Sequence, residues 1–160
     1  MSCIYLISGC QKSPGGLGDL AYLGLTKRDG LERIEEHLYK FEHGTHSNQI
    51  VQNYYDQFGR GSLLTGIIID CPEYYLNSIE RFCIADLNTY TGDNPYGWNK
   101  SRGGEGAARY CPRFTLSDGK AVHNGNELYP FLIQHRELEP QNVLRLFDGS
   151  LFHYMGWKLL

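Results

Sequence analysis

The stretches Cys3-Ile4-Tyr5 and Tyr22-Leu23-Gly24 each place a tyrosine in a short apolar run near the start of the chain. Such runs, bounded by polar and glycine-rich sequence, predict strands over residues 4–8 and 20–24. The Gly-rich segment between them, residues 11–19, predicts a long hairpin loop. An antiparallel hairpin places the two tyrosines on adjacent strands, where their hydroxyls can converge on one water.

Helices are indicated downstream of this hairpin. Apolar residues at helical spacing predict a helix over residues 31–42, which Gly44 can end. Ser47 can open a second helix that runs to Phe58 and stops at the glycine that follows.

A further strand and a third helix complete the predicted core. The β-branched run at residues 63–69 is typical of a central strand. Pro72 fits the first turn of a helix whose apolar positions mark a buried face. The predicted fold class is α/β (α+β): a small three-stranded antiparallel sheet flanked by helices, plus a short C-terminal helix-turn-helix-like unit.

The last part of the chain carries the signals for that unit. Residues 90–106 are rich in Gly, Asn, Asp and Ser without periodicity, which indicates a functional loop or a linker. A short extended piece is predicted at residues 119–122. Two short helices follow, over residues 127–135 and 141–147, and their tight turn is typical of a helix-turn-helix.

The composition permits a packed core and excludes a membrane span. Of 160 residues, 41% are hydrophobic, including 12 Tyr and 7 Phe, which suffices for one domain and a small module. We place the core domain at residues 1–105, a linker at 106–115 and the C-terminal module at 116–160. No apolar run approaches the ~20 residues of a membrane span, and the N-terminus lacks the basic start of a signal peptide.

The net charge and the cysteine content argue against two classes of protein. A net charge of -3 weighs against tight non-specific nucleic-acid binding, although a local basic face can survive a negative total. The five cysteines form no Cys-x-x-Cys pair, which argues against a zinc finger and predicts buried free thiols in a reducing cytoplasm. They are Cys3, Cys10, Cys71, Cys83 and Cys111.

Several side chains suit phosphodiester hydrolysis, which needs an activated nucleophile and stabilisation of the developing charge. Tyr5 and Tyr22 can act on one water, and Arg33 supplies a permanent planar cation. His37 lies one helical turn after Arg33 on the same face. Glu80 can hold one divalent cation together with several waters.

Each of these residues also has an ordinary interpretation. A strand tyrosine is more often a residue at the edge of the core. Arg33 can simply pair with Glu32 or Glu36, His46 can cap the second helix, and Asn99 can be a turn residue. The functional prediction therefore depends on the order and spacing of the whole set.

That order resembles the GIY-YIG nuclease family. Cys3-Ile4-Tyr5 is similar to its first signature, with Cys in place of Gly, and Tyr22-Leu23-Gly24 to its second, with Leu in place of Ile. Arg33, His37 and His46 resemble the Arg…His…His segment of phage intron-encoded homing endonucleases.

Two later motifs extend the resemblance to about residues 3–105. The helix around Glu80 is similar to the family's metal-ligand helix, and Gly97-Trp98-Asn99 to its closing asparagine motif. The resemblance implies one Mg²⁺ or Mn²⁺ ion bound through Glu80 and a tyrosine hydroxyl acting on the attacking water. It gives these catalytic residues: Tyr5, Tyr22, Arg33, His37, His46, Glu80 and Asn99.

The C-terminal module resembles, less specifically, the helix-turn-helix module that ends many phage homing endonucleases. Its second helix would then read a groove of double-stranded DNA through Gln141, Asn142 and Arg145. Lys27 is assigned to DNA binding as well. The alternative is a C-terminal packing module without a reading role.

We therefore predict a metal-dependent DNA endonuclease, of the phage homing type, that acts in the host cytoplasm without membrane association. A monomer is favoured. Two alternatives stay open: a restriction-like or host-DNA-degrading nuclease on the same domain, and a catalytically inert DNA-binding regulator.

Overall fold

The chain folds around a three-stranded antiparallel sheet that carries helices on both faces. Strand β1 (Cys3–Gly9) lies between β2 (Ala21–Thr26) and β3 (Leu63–Asp70), and both pairings are antiparallel. This confirms the predicted hairpin and sheet. The structure is a computed structural model that describes residues 2–11, 19–105, 113–120, 122–125 and 127–160.

The prediction of a central position for β3 is wrong. β1 occupies the centre, so β3 forms an edge of the sheet and most of its side chains are exposed. Ile4 pairs with Ile69 and Tyr5 pairs with Ile67, so Ile68 forms a bulge between them. A bulge of this kind is one way in which proteins protect an exposed edge from pairing with other chains.

Two helices cover one face of the sheet. Helix α1 (Gly30–Glu42) begins at Asp29, whose carboxylate accepts from two backbone amides of its first turn. It ends at Glu42 with His43 as its C-cap, and the predicted stop signal, Gly44, follows with a φ of 64°. Helix α2 (Gln49–Phe58) is capped by Asn48 and not by the expected Ser47.

The other face is covered by helix α3 (Leu76–Asp86), which follows a short 3-10 turn. Because side chains alternate along β1, Ile4 points toward α3, whereas Tyr5 and Ile7 point toward α1 and α2. These residues belong to two separate clusters of buried side chains. The tyrosines therefore lie on the α1 side of the sheet.

The C-terminal part is more than a helix pair. Helices α4 (Leu128–Gln134) and α5 (Pro140–Phe147) are both present as predicted. They accompany a second antiparallel sheet, in which β4 (Phe114–Ser117) pairs with β5 (Val122–Gly125) and with β6 (Lys158–Leu159). The sequence analysis missed β4 and placed an extended piece at residues 119–122. Of these, Val122 is the first residue of β5, and residue 121 lies outside the described residues. Residues 106–112 of the proposed linker lie outside the described residues.

The two parts share one hydrophobic cluster. Leu76, Ile79 and Phe82 of α3 belong to the same cluster as Leu128 and Leu132 of α4. The Arg81 guanidinium also stacks on the ring of Tyr129, 4.0 Å from its centroid. α3 is therefore buried from both sides. The proposed division into a domain at 1–105 and a module at 116–160, joined by a linker at 106–115, stays a prediction.

We expect one cooperative unfolding transition that Leu132→Ala shifts as a whole. Leu132 is fully buried in the shared cluster, and truncating such a leucine costs about 2–5 kcal/mol. Leu31→Ala is the matched control, because Leu31 is 62% exposed. Thermal unfolding followed by calorimetry checks this. Two separated transitions, of which Leu132→Ala moves only one, would contradict it and would support independent domains.

The cysteines test the prediction of buried free thiols. Cys3, Cys71 and Cys83 are buried as expected, but Cys10 is exposed, and Cys111 lies outside the described residues. Burial raises the pKa of the Cys71 and Cys83 thiols to about 12, so both are unreactive at neutral pH.

No helix among the described residues has the length and apolar character that crossing a bilayer requires.

Candidate active site

The two strand tyrosines face each other on the α1 side of the sheet. Tyr5 pairs with Gly24 across the β1–β2 ladder, and the rings of Tyr5 and Tyr22 are 6.4 Å apart. A side chain at Gly24 would overlap the Tyr5 hydroxyl. This explains why a glycine follows the second tyrosine by two positions: the Tyr5 ring lies across the β2 backbone there.

A chain of hydrogen bonds leads away from Tyr5. The Tyr5 hydroxyl is 2.7 Å from His37 Nε2, and His37 Nδ1 is 2.6 Å from His46 Nε2. All three residues are buried. The structure therefore brings the first tyrosine and both predicted histidines into one continuous buried network.

Burial sets the protonation of this network. It raises the pKa of Tyr5 well above its ordinary value, an effect that Tyr22 reinforces and Arg33 opposes. Burial, reinforced by Arg33, lowers the pKa of His37 to about 3, and burial also lowers that of His46. At neutral pH the tyrosines carry their protons and the two histidines are neutral.

Keeping His37 neutral should make the protein sensitive to acid. Unfolded His37 takes up a proton below about pH 6.5, whereas folded His37 does so only near pH 3. Between these values the unfolded state binds more protons, so stability falls as the pH falls.

We expect His37 to lower the free energy of unfolding by up to about 1 kcal/mol for each unit by which the pH falls in that window. His37→Gln should flatten the dependence between pH 6.5 and 3, and His43→Gln, at the exposed C-cap of the same helix, should not. Urea unfolding at a series of pH values measures it, and parallel slopes for His37→Gln and the wild type would contradict it.

Arg33 lies beside the tyrosines and also forms the ordinary ion pair. Its Nη1 is 2.6 Å from a carboxylate oxygen of Glu36, which Arg28 also contacts. The pKa of Arg33 reflects partial burial, which lowers it, and the stronger combined effect of Glu36 and Tyr5, which raises it. The Arg33 guanidinium thus stays charged next to the Tyr5 hydroxyl. The partly exposed carboxylate of Glu36 holds it in place through the ion pair.

Asn99 is a structural support for the second tyrosine strand. Its side-chain oxygen accepts from the Leu23 amide at 2.9 Å and from the Thr89 hydroxyl at 2.8 Å, and its nitrogen donates to the Leu23 carbonyl at 2.7 Å. These bonds tie the loop after α3 to the β2 residue that follows Tyr22. The described part of the predicted loop or linker, residues 90–105, is thus a loop that contacts the second tyrosine strand.

Glu80 projects from α3 and is 9% exposed. The Gly104 amide donates to its Oε2 at 2.8 Å, and burial raises the pKa of the carboxyl. No Lys, Arg or His among the described residues forms an ion pair with it. Burial raises the pKa of the Tyr22 hydroxyl, and the Glu80 charge raises it further, which places the carboxylate near the tyrosines.

A divalent cation fits this carboxylate. A buried carboxylate without a neighbouring cationic side chain is costly when ionised, and Mg²⁺ commonly uses one or two carboxylates while it keeps several waters. No cluster of three or more His, Cys, Asp or Glu that could hold a metal occurs within the part of the chain that the structure describes. Glu80 therefore offers an ion one carboxylate, and the remaining ligands would be waters.

Comparisons with known proteins give a structural match. No known family profile matches the sequence, and no curated protein matches it significantly. Two solved structures match it: the catalytic domain of homing endonuclease I-TevI, and a mutant catalytic domain of intron endonuclease I-TevI. The fold is that of the I-TevI catalytic domain.

The likeness extends over part of this chain and over nearly all of each matching domain. Each alignment has 24% identity and a TM-score of 0.51, and covers 63% of this chain. The alignments cover 94% of the mutant chain and 99% of the other. The structural likeness to a GIY-YIG catalytic domain, predicted from the motif order, is thus confirmed at the level of fold.

The predicted DNA-binding residues lie outside this network. Lys27 is exposed and forms an ion pair with Glu73 at 2.6 Å. Gln141 and Arg145 are exposed on α5, whereas Asn142 is half-buried and its amide donates to a carboxylate oxygen. These positions are accessible to a ligand, and their assignment to DNA stays a prediction.

The sequence analysis missed residues that organise the site. The Asn48 amide contacts His46, and the Asn48 side chain donates to the Trp98 carbonyl at 2.8 Å. Gln52 accepts from the His46 amide at 3.3 Å. An asparagine before a helix is a recognisable capping signal, but its contact with His46 depends on how the turn between α1 and α2 folds.

Proposed function

We propose that this protein is a metal-dependent DNA endonuclease that hydrolyses phosphodiester bonds. The observation that carries the proposal is the buried Tyr5–His37–His46 network beside Arg33, on a fold shared with the I-TevI catalytic domain. A tyrosine hydroxyl and a charged guanidinium side by side suit a reaction in which a water must be positioned and the charge that develops at one phosphate must be stabilised.

Each residue has a role in this proposal. The Tyr5 and Tyr22 hydroxyls would orient and activate the attacking water. Arg33 would bind the scissile phosphate and stabilise the charge that develops on it. Glu80 would hold one Mg²⁺ or Mn²⁺ ion. Such an ion supplies Lewis-acid stabilisation of the leaving oxygen when bound.

A plasmid-nicking assay tests the proposal. The purified chain should convert supercoiled plasmid to nicked or linear DNA with Mg²⁺ or Mn²⁺, and not with EDTA. Binding of a DNA duplex without cleavage under any divalent ion would favour the inert DNA-binding regulator. A protein that does neither would refute the proposal.

The finer assignment is to a phage homing-type enzyme that acts on double-stranded DNA in the cytoplasm of a host cell, as a monomer. It is supported by the structural similarity to the catalytic domain of a homing endonuclease. Mapping the cuts on a long phage genomic fragment tests it. Rare, defined cuts support homing, whereas frequent cuts support a restriction-like or DNA-degrading nuclease.

The proposal assigns sequence reading to α5. Arg145 is exposed there, on a helix whose opposite side is buried through Val143 and Leu144. If Arg145 contacts a base, we expect Arg145→Ala to relax specificity at one position by about 1–3 kcal/mol. Binding measured by anisotropy on single-base variants of the mapped site checks this, with Arg60→Ala, distant on the chain, as control.

A uniform loss on all sequences has a different meaning. A smaller salt dependence of binding, by about one unit of slope, would identify Arg145 as a phosphate contact. No change at all would return the C-terminal unit to a packing role.

A further inference from the structure

The hydrogen-bonded series Tyr5–His37–His46 ends at the backbone amide of Asn48. This amide determines which atom donates in each hydrogen bond of the series. We infer that His46 and His37 are both held as Nε2–H tautomers by the Asn48 amide, so that His37 donates to Tyr5 and is a positioning residue rather than its base. The catalytic meaning of this inference rests on the proposed nuclease function. The tautomers themselves do not.

The direction follows from the first link. The Asn48 N–H donates to His46 Nδ1 at 3.0 Å, and a backbone amide can only donate. His46 Nδ1 therefore carries no proton. The Asn48 carbonyl lies farther from the same nitrogen, at 3.4 Å, which is a poor distance for an N–H donor.

The remaining links follow in turn. A neutral imidazole without a proton on Nδ1 has one on Nε2, so His46 Nε2–H donates to His37 Nδ1 across 2.6 Å. His37 then carries its own proton on Nε2, which donates to the Tyr5 oxygen across 2.7 Å. Burial lowers the pKa of both histidines, which agrees with two neutral rings.

The turn before α2 is built to hold this amide in place. Asn48 accepts from the Ile50 amide through its own side chain and donates to the Trp98 carbonyl. Gln52 accepts from the His46 amide and donates to the Phe41 carbonyl at 2.9 Å. The side chains of Asn48 and Gln52 are buried, so the relay is anchored in the hydrophobic cluster under α1 and α2.

The consequence concerns the proton of Tyr5. The Tyr5 oxygen accepts from His37, and Arg33, which also interacts with Tyr5, has no acceptor atom. The Tyr5 O–H is therefore directed toward Tyr22, with which it interacts, or toward a bound water or phosphate. The histidines cannot take this proton, and they stabilise negative charge on the Tyr5 oxygen.

Tautomers are measured directly by nitrogen chemical shifts. Long-range ¹H–¹⁵N spectra of the full chain, labelled at histidine and recorded above pH 7.5, should show Nε2–H patterns for His37 and His46. Spectra of His37→Gln and His46→Gln assign them. His43, whose Nδ1 donates to the Tyr39 carbonyl at 2.8 Å, should show the opposite pattern. An Nδ1–H pattern for His37 or His46 overturns the inference.

Cleavage by two His37 variants gives a second readout. The glutamine amide of His37→Gln can donate near the original Nε2 but cannot act as a base, whereas His37→Leu cannot donate. We expect His37→Leu to lose about 10- to 100-fold in cleavage rate and His37→Gln to lose clearly less than His37→Leu. An equal loss in two folded variants overturns the positioning role. If the wild type does not cleave, the proposed function fails while the tautomer result still stands.

Discussion

Replacing Glu80 with glutamine is expected to abolish divalent-ion-dependent cleavage while the fold stays intact. An amide cannot supply the negative charge that holds Mg²⁺ with its waters. Losing the ion removes several kcal/mol of transition-state stabilisation, which corresponds to a rate loss on the order of 10³-fold or more. Plasmid nicking over a range of Mg²⁺ concentrations measures this.

The stability of the variant separates a chemical loss from a structural one. Burial raises the pKa of Glu80, so the ionised carboxylate is less favourable in the folded state than in water. The amide oxygen can still accept from Gly104, which now donates to Oε2. We therefore expect Glu80→Gln to be as stable as the wild type, or more stable, at pH 7.

The metal assignment has its own control. Mg²⁺ should raise the melting temperature of the wild type, because a ligand of the native state stabilises it, and should not raise that of Glu80→Gln. Asp86→Asn changes an exposed carboxylate of the same helix, paired with Arg136, and should behave as the wild type. Cleavage by Glu80→Gln at the wild-type rate would show that Glu80 is not the metal ligand.

Much of this fold could be predicted because its signals are local. The hairpin strands follow from short apolar runs, and α1 follows from its periodicity and from Gly44 at its end. The edge position of β3 could not be predicted, because the sequence does not show that β3 pairs with the free edge of β1 and that no strand among the described residues pairs with the other edge of β3. β4 was missed since it is four residues long, too short for a periodic pattern to stand out.

The candidate site divides in the same way. The residue types of Tyr5, Arg33 and Glu80 indicate their chemistry, and their order along the chain suggested that they meet. The order of these residues could not predict the hydrogen bonds that position them. The Asn48 amide that orients His46, and the Gly104 amide that closes over Glu80, are backbone groups, which every residue carries.

The second large effect is expected at Arg33. Arg33→Ala should lower the cleavage rate by about 100-fold or more, the scale of losing one donor to a developing charge. Arg33→Lys should restore little, since an ammonium cannot reproduce the planar fork that contacts two phosphate oxygens. Single-turnover rates at saturating protein separate this loss from weaker DNA binding.

The chain supplies a matched control for Arg33. Arg28 pairs with the same carboxylate, Glu36, but its side chain is 61% exposed against 29% for Arg33. Surface ion pairs of this kind contribute little to stability, so Arg28→Ala should cleave within a few-fold of the wild-type rate. A full rescue by Arg33→Lys, or an equal loss in Arg28→Ala, would reduce Arg33 to a general electrostatic contact, because neither result requires a guanidinium beside the Tyr5 oxygen.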